Sequence, residues 1–448
     1  MNSIFDSDNK NNSISALGTD TCFVSKRRVK ELFSLLIFIL YVSFCAIVAW
    51  EHPSYNSDVL PYIGAAISID DQDASIIHKK SYALVKQSIP AKVYSAIISP
   101  PSSGSKHFED LVGNYFEVAA KDAECFYQEL PFFYVKPLYV FILYLAIKLQ
   151  LNPVAFMVVF SIACSICISF LLFNWIRKYV STAWSSLWCI LILSAAGLQD
   201  IFSITTSDMA ALLFIFLAAY WYFEKDKFDM AMLSLFIGTL FRLDAALVPI
   251  LLLIYDSLIL KKRNILRFKS LLYFSTFIIL PIVIQMLVGA YSWSTLFYYN
   301  FIQHLNYPKV SHPSISILQY ITVVVQGLRM KAPANVAWMF VIFAVLILLL
   351  RSQNDKIHHI FVFSITYICT RYFLFPILAQ RFFIVFYILI AIVFVKEFGM
   401  LIGNYPNFSS LLKINNVKMK SIVNAKFALK QVPFFNAAGI KPSAQRIE

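Results

Sequence analysis

Eight charged side chains stand at or near the ends of apolar runs. A carboxylate in such a place can act as a general base, and Lys or Arg can hold a phosphate group. A charge at the middle of a lone transmembrane helix costs about 2.5 to 3.5 kcal/mol, and a charge at a helix end costs less. Taken singly, each residue is interpreted as an interface anchor. Together they predict a polar cavity at the membrane surface, formed by Asp58, Glu129, Lys136, Asp208, Arg242, Asp244, Arg371 and Arg381.

The composition predicts the elements that must position these residues. Of 448 residues, 59% are hydrophobic and 14% are charged, with a mean hydropathy of +0.69. Soluble domains carry about 25% charged residues, and apolar runs of roughly 18 residues are long enough to cross a bilayer. The predicted fold is therefore all-α, a polytopic transmembrane helical bundle of about 10–11 spans. The formal net charge of +13 lies in short clusters between apolar runs, which indicates cytoplasmic loops and not nucleic-acid binding.

Charge placement predicts the domain organisation. The first apolar run, 31–50, is preceded by about 30 polar residues, including the basic cluster KRRVK, and is interpreted as an uncleaved span. The polar stretch that follows has eleven acidic and six basic residues, which favours the outer side. The predicted parts are a disordered cytoplasmic N-terminus (1–30), a transmembrane domain (31–400) with a large first extracytoplasmic loop (51–130), and a basic cytoplasmic tail (401–448).

The apolar run 132–149 is ambiguous. If it is a re-entrant or interfacial helix, ten spans follow the charge alternation, and the basic clusters 176–178 and 261–269 face the cytoplasm. If it crosses, those clusters lie outside, so the first arrangement is favoured. A second interfacial helix is predicted at 314–328.

Cysteine and histidine give weak signals. The CSIC sequence at 164–167 lies in an apolar run without a neighbouring His or acid, so helix packing is the favoured interpretation. His304 and His312 could bind an acceptor or a metal, but their spacing matches no zinc motif and they are interpreted as loop residues. No metal site is predicted from the sequence, and the need for a divalent cation stays open.

The order of several motifs resembles the GT-C superfamily of integral-membrane glycosyltransferases. The chain has a first span and then a long outer loop with Asp58 near its start. FYVKPLY (133–139) resembles the (R/K)PLY or KPPL signature near the end of that loop. Three later segments also resemble elements of the superfamily, namely TSDMAALLFIFLAAYWYFEKDK (206–227), AMLSLFIGTLFRLDAALVPILLLIY (231–255) and TRYFLFPILAQRFF (370–383).

The resemblance implies transfer of a sugar from a polyprenyl-phosphate donor to a glycan, lipid or protein acceptor. Transfer would occur at the outer face of a multi-pass protein of the bacterial inner membrane, among membrane lipids and without nucleic acid. Attack opposite the phosphate would invert the sugar's stereochemistry. The implied roles are Asp58 as general base; Lys136, Arg242, Arg371 and Arg381 around the donor phosphate; and Glu129, Tyr139, Asp208 and Asp244 as supporting groups.

Three other functions stay open. A lipid-linked polysaccharide polymerase, ligase or flippase is expected to have its largest outer loop late in the chain, whereas this one comes first. A secondary transporter is expected to have mid-membrane ionisable residues and internal symmetry, whereas these charges stand at the ends of apolar runs. A structural subunit without activity remains compatible with the sequence.

Overall fold

The all-α fold class is confirmed. In the described part of the chain the backbone is helical apart from turns and one isolated parallel bridge between Ser54 and Ile204. Residues 1–397 form one compact unit that contains the whole candidate site, and residues 398–448 form a second unit. Calls on the extreme N-terminus, His312 and the tail beyond 404 lie outside the described residues. The computed structural model describes residues 14–99, 111–197, 202–260, 268–309, 314–329, parts of 338–349, 355–377 and 380–404.

Eighteen α-helices are described, and short π or 3-10 turns extend or link some of them. In chain order they are α1 (Ile14–Glu51), α2 (Val59–Ile67), α3 (Ala74–Ser88), α4 (Ala91–Ile98), α5 (Tyr115–Lys121), α6 (Ala123–Glu129), α7 (Pro131–Tyr134), α8 (Pro137–Lys148), α9 (Pro153–Ile176), α10 (Thr182–Ala195), α11 (Asp208–Ala219), α12 (Phe228–Phe241), α13 (Leu247–Tyr255), α14 (Phe268–Leu287), α15 (Trp293–Phe301), α16 (Ile317–Arg329), α17 (Asp355–Leu374) and α18 (Ile384–Asn404).

The protein is a helical membrane protein. Among the described residues, four helical segments are long and apolar enough to cross a bilayer: Glu31–Glu51, Pro153–Ile176, Leu243–Leu260 and Phe268–Leu287. A bent helix pair raises the number to five. Other apolar helices, including α10 and α12, are shorter, so the count of ten to eleven spans stays a prediction.

Two segments are helical where the sequence gives no helical signal. Helix α1 begins at Ile14, and its backbone is continuous with the helix of the first span, whereas the disorder predicted for 1–30 stays a prediction. The outer loop 51–130 folds into helices α2 to α6. Helix α2 is buried along its whole length, because small residues let it pack closely against its neighbours.

Gly64 allows the closest of these contacts. A Cβ atom at this position would lie 2.8 Å from Phe126 Cζ and 2.9 Å from Leu130 Cδ2. A side chain there would push α2 away from α6. Glycine therefore holds the helix that follows Asp58 against the helix that ends at Glu129.

The run predicted as one helix at 132–149 is broken in two. The direction changes by 119° between Ala123–Tyr134 and Pro137–Lys148, which is the geometry of a broken span or a re-entrant loop. Pro137 starts α8 because it lacks the N–H that an earlier helical turn would need. The break leaves Lys136 in an irregular backbone conformation at the start of α8.

Candidate active site

One cavity of about 430 Å³ collects the residues predicted from the sequence. This volume lies in the range of small-molecule sites. Its walls come from segments that are more than 300 residues apart in the chain. Eight of the nine predicted site residues line it, namely Asp58, Glu129, Lys136, Asp208, Arg242, Asp244, Arg371 and Arg381.

A carboxylate–guanidinium network forms one wall, and we define it as Asp208, Arg242, Asp244, Arg371 and Arg381. Arg242 is the central cation. Its Nη1 donates to Asp208 Oδ1, while its Nε and Nη2 donate to the two oxygens of Asp244 at 3.0 and 2.7 Å. Arg371 Nη2 donates to Asp244 Oδ2 at 3.2 Å, and Arg381 Nη1 lies 3.7 Å from Asp208 Oδ2. Three guanidinium groups against two carboxylates leave one excess positive charge.

Local structure places each member of this network. Asp208 begins α11 and accepts a 2.9 Å hydrogen bond from Thr206 Oγ1. Arg242 directly follows the last residue of α12, and Asp244 lies in the 3-10 turn after it. All three cations of the network contact the Phe382 ring. The guanidinium carbons of Arg242, Arg371 and Arg381 lie 4.8, 4.9 and 5.0 Å from its centroid.

Not all guanidinium N–H donors of the network have a hydrogen-bond acceptor within the described residues. Arg371 has a side chain that is only 5% exposed, and its Nη1 has no hydrogen-bond partner among the described residues. Arg381 is 33% exposed, and its contact to a carboxylate among the described residues is the long one to Asp208. Arg371 and Arg381 are therefore the two members with donors left for an anionic ligand, whereas Arg242 is committed to carboxylates on three nitrogens.

Lys136 is held by aromatic rings. Its Nζ lies 4.6 Å from the ring centroid of Tyr62 and 4.5 Å from that of Phe133. The two rings contact each other edge to face at 4.9 Å, and the Tyr62 hydroxyl lies 3.1 Å from Ser207 Oγ. No carboxylate in the described part of the chain forms an ion pair with Lys136. The rings favour a cation without neutralising it.

Asp58 stands just before α2, where many helices have a capping side chain. Its carboxylate makes no capping bond to the helix. Instead it accepts a hydrogen bond from Asn56 Nδ2 at 2.8 Å on Oδ2. No cation of the described chain pairs with Asp58, so its second oxygen can take a proton from a bound ligand. The backbone bond from Ser54 N to Ser203 O, at 3.1 Å, fixes this segment beside the one that carries Asp208.

An aromatic cluster lines another part of the cavity, and we define it as Glu129, Phe132, Trp293, Tyr299, Asn300 and His304. The Tyr299 ring is stacked between Phe132 and His304, with centroid distances of 4.6 and 4.3 Å. Its hydroxyl lies 3.4 Å from Glu129 Oε1.

Burial sets the charge of the imidazole in this cluster. It lowers the pKa of His304 to about 4, although the charge of Asp58 acts in the opposite direction. His304 is therefore neutral at pH 7. Its Nδ1 is buried and has no partner within the described residues.

Two sequence-based assignments change in detail. Tyr139 is fully buried and does not line the cavity; it packs edge to face on Tyr62 at 4.9 Å. His304, interpreted as a plain loop residue, is part of the cavity wall. The sequence gives no local signal for His304, because distant residues help to hold it in place, as in the hydrogen bond from His304 N to Leu111 O at 2.7 Å.

The described residues include no group of three His, Cys, Asp or Glu side chains arranged to hold a metal ion. The cavity carboxylates Asp208 and Asp244 are instead shared by arginines. Cys164 of the CSIC sequence is buried in α9 and Cys167 is exposed, and both are free thiols.

Fold and site thus define a class: a helical membrane protein with a cavity that contains an arginine-rich wall and a carboxylate and a lysine that form no ion pair within the described residues. Comparison of the chain with family models, with curated proteins and with solved structures gives no match.

Proposed function

We propose that the protein is a membrane glycosyltransferase that uses a polyprenyl-phosphate sugar. The observation that carries the proposal is the meeting of Asp58 and Lys136 in one cavity, each without an ion pair among the described residues. A donor with a lipid tail and a phosphate needs a cation at the membrane surface, and an acceptor hydroxyl needs a base. The resemblance to the GT-C superfamily supports the same conclusion.

The reaction uses this chain's own groups in simple roles. Asp58 takes the proton of the acceptor hydroxyl, whose oxygen forms a bond to the anomeric carbon of the donor sugar. The bond between that carbon and the phosphate oxygen breaks, and the polyprenyl phosphate leaves with the electron pair. Attack from the face opposite the phosphate inverts the anomeric configuration.

We place the donor phosphate between Lys136 and the side of the network that Arg371 and Arg381 form. Lys136 supplies a mobile point charge, whereas Arg371 and Arg381 supply fixed guanidinium donors. Arg242 has its donors occupied by Asp208 and Asp244. Its role is to hold the other charged groups in place, and it is a weaker phosphate ligand than the sequence motif implies.

Binding of a short-chain polyprenyl phosphate to the purified protein in detergent tests this function. Lys136→Ala should weaken binding about tenfold or more, because a charge-assisted contact is lost. Lys136→Arg should retain part of the affinity, since the charge stays and the geometry changes. Lys148→Ala is the matched control, because this lysine ends α8 on the surface, paired with Asp70. Unchanged affinity in Lys136→Ala would reduce Lys136 to an interface anchor.

The proposed site faces the outside of a bacterial inner membrane, so the basic clusters 26–30, 176–178 and 261–269 should face the cytoplasm. Cysteine labelling with a membrane-impermeant reagent in intact cells checks this. Asn264→Cys should stay unlabelled until the cells are opened, whereas Ser88→Cys, at the end of α3 in the first outer loop, should label at once. Labelling of position 264 from outside would reverse the topology and remove the outer-face mechanism.

A further inference from the structure

The aromatic cluster has a chemical character that differs from the rest of the cavity. The network and Lys136 offer positive charge. The aromatic cluster offers hydrogen-bonding groups without a cation, since its imidazole is neutral at pH 7. Glu129 is its only carboxylate. An anionic ligand group therefore belongs beside Lys136, and this part of the cavity suits a ligand group rich in hydroxyls.

The stacked column of rings fixes the position of the polar atoms. Tyr299 is only 7% exposed and has ring neighbours on both faces, so its ring is not a platform for a ligand. It presents its hydroxyl, next to Glu129. His304 Nδ1 adds a buried ring nitrogen without a hydrogen-bond partner among the described residues. An unpaired buried polar atom beside a cavity costs free energy unless a ligand or water satisfies it.

Trp293 supplies the ring surface that Tyr299 cannot. It lines the cavity and is 44% exposed. Asn300 stands two turns further along α15, with its Nδ2 bonded to Leu296 O at 2.7 Å. A partly exposed indole, a carboxylate, an amide, a phenol and a neutral imidazole together match the apolar C–H face and the hydroxyl edge of a sugar ring.

We propose that the aromatic cluster binds a saccharide ring that carries no anionic group. The inference rests on the proposed function, and it names the chemistry of the substrate bound near Asp58. The ring can come from the donor or from a glycan acceptor, and the chemistry at this cluster is the same for both. We expect acidic sugars to bind more weakly, because the aromatic cluster itself contains no cation to pair with their carboxylate.

Saccharide binding to the purified full-length protein in detergent micelles tests this proposal. The probes are methyl glycosides of neutral hexoses, pentoses and N-acetylhexosamines, with methyl glucuronide as the acidic counterpart. Saturation-transfer difference NMR reports the bound probe directly. At least one neutral glycoside should bind, and methyl glucuronide should bind at least tenfold more weakly.

Two pairs of variants locate the bound ring. Tyr299→Phe removes one hydroxyl and should raise the Kd about tenfold, and Glu129→Gln should raise it by ten- to a hundredfold. Tyr298→Phe and Glu124→Gln are controls on the same two helices, and neither residue lines the cavity. Binding that is equal in all four variants, or no binding of any neutral glycoside to the unaltered protein, would overturn the proposal.

A displacement experiment shows whether the bound sugar belongs to the donor or to the acceptor. It also tests the saccharide site and the proposed function separately. A polyprenyl-phosphate sugar that displaces the glycoside identifies the donor subsite, whereas binding alongside it identifies the acceptor subsite. Polyprenyl phosphate without sugar should displace nothing. If polyprenyl phosphate binds and no glycoside does, the saccharide site is wrong and the proposed function stands. If glycosides bind and polyprenyl phosphate does not, the proposed donor is wrong and the saccharide site stands.

Discussion

Replacing Asp58 by Asn should reduce sugar transfer by about 10² to 10⁴, the usual contribution of a general base. The substitution keeps the size of the side chain and removes its capacity to take a proton. Asp58 makes no helix-capping bond and has no ion pair among the described residues, so folding should change little. Single-turnover transfer measures the effect, and polyprenyl phosphate binding should stay within a few-fold of the unaltered protein.

Acids in the same outer segment provide the controls. Asp73 caps α3 by accepting bonds from Ser75 N and Ile76 N at 2.7 and 3.2 Å, and Asn caps a helix equally well. Asp71 pairs with Lys80 at the surface, where an ion pair contributes little. Asp71→Asn and Asp73→Asn should therefore keep full activity. If Asp58→Asn is also fully active, Asp58 is not the base, and Glu129 becomes the candidate.

The charged residues that line the cavity could be selected from the sequence because each charge carries its own signal. An ionisable residue at the end of an apolar run stands out in the sequence without knowledge of the fold, and eight of them together indicate a polar cavity although each alone could be an interface anchor. Asp58, Lys136 and Arg371 could therefore be selected from the sequence, although only the fold could bring them into one cavity. The pairing of Arg242 with two carboxylates could not be predicted, since Asp208 is 34 residues away along the chain.

The aromatic part of the site gave no such signal. This chain has 42 Phe and 24 Tyr, so any one ring is most simply interpreted as packing. Tyr62 and Tyr299 acquire their roles from neighbours in other helices, Lys136 for the first and Glu129 for the second. The helices α2 to α6 were missed for a similar reason. The stretch 51–130 as a whole is polar enough to suggest a solvated loop, and packing against the rest of the fold decides the structure of its helices.

Removing Arg242 should destabilise the fold more than any other single substitution in the cavity wall. Of the cations in the described part of the chain, Asp208, whose side chain is 7% exposed, would keep only the long contact to Arg381, and Asp244 would keep only Arg371. Breaking a buried ion pair by deleting one partner costs about 3 to 5 kcal/mol, because the remaining charge is left without compensation. Arg242→Met should lower the free energy of unfolding by that order, measured by thermal unfolding in detergent.

Charge and geometry can be separated at this position. Arg242→Lys keeps the charge, but an ammonium group cannot make the two parallel contacts to Asp244 together with the one to Asp208, so it should recover only part of the loss. Adding Asp208→Asn to Arg242→Met removes one of the uncompensated carboxylates and should restore stability relative to Arg242→Met alone.

Lys269→Met is the control, since its pair with Asp229 is exposed and is worth about 0 to 1 kcal/mol. If Arg242→Met is no less stable than Lys269→Met, the carboxylates are not held by Arg242, and its nitrogens would be available to a substrate phosphate after all.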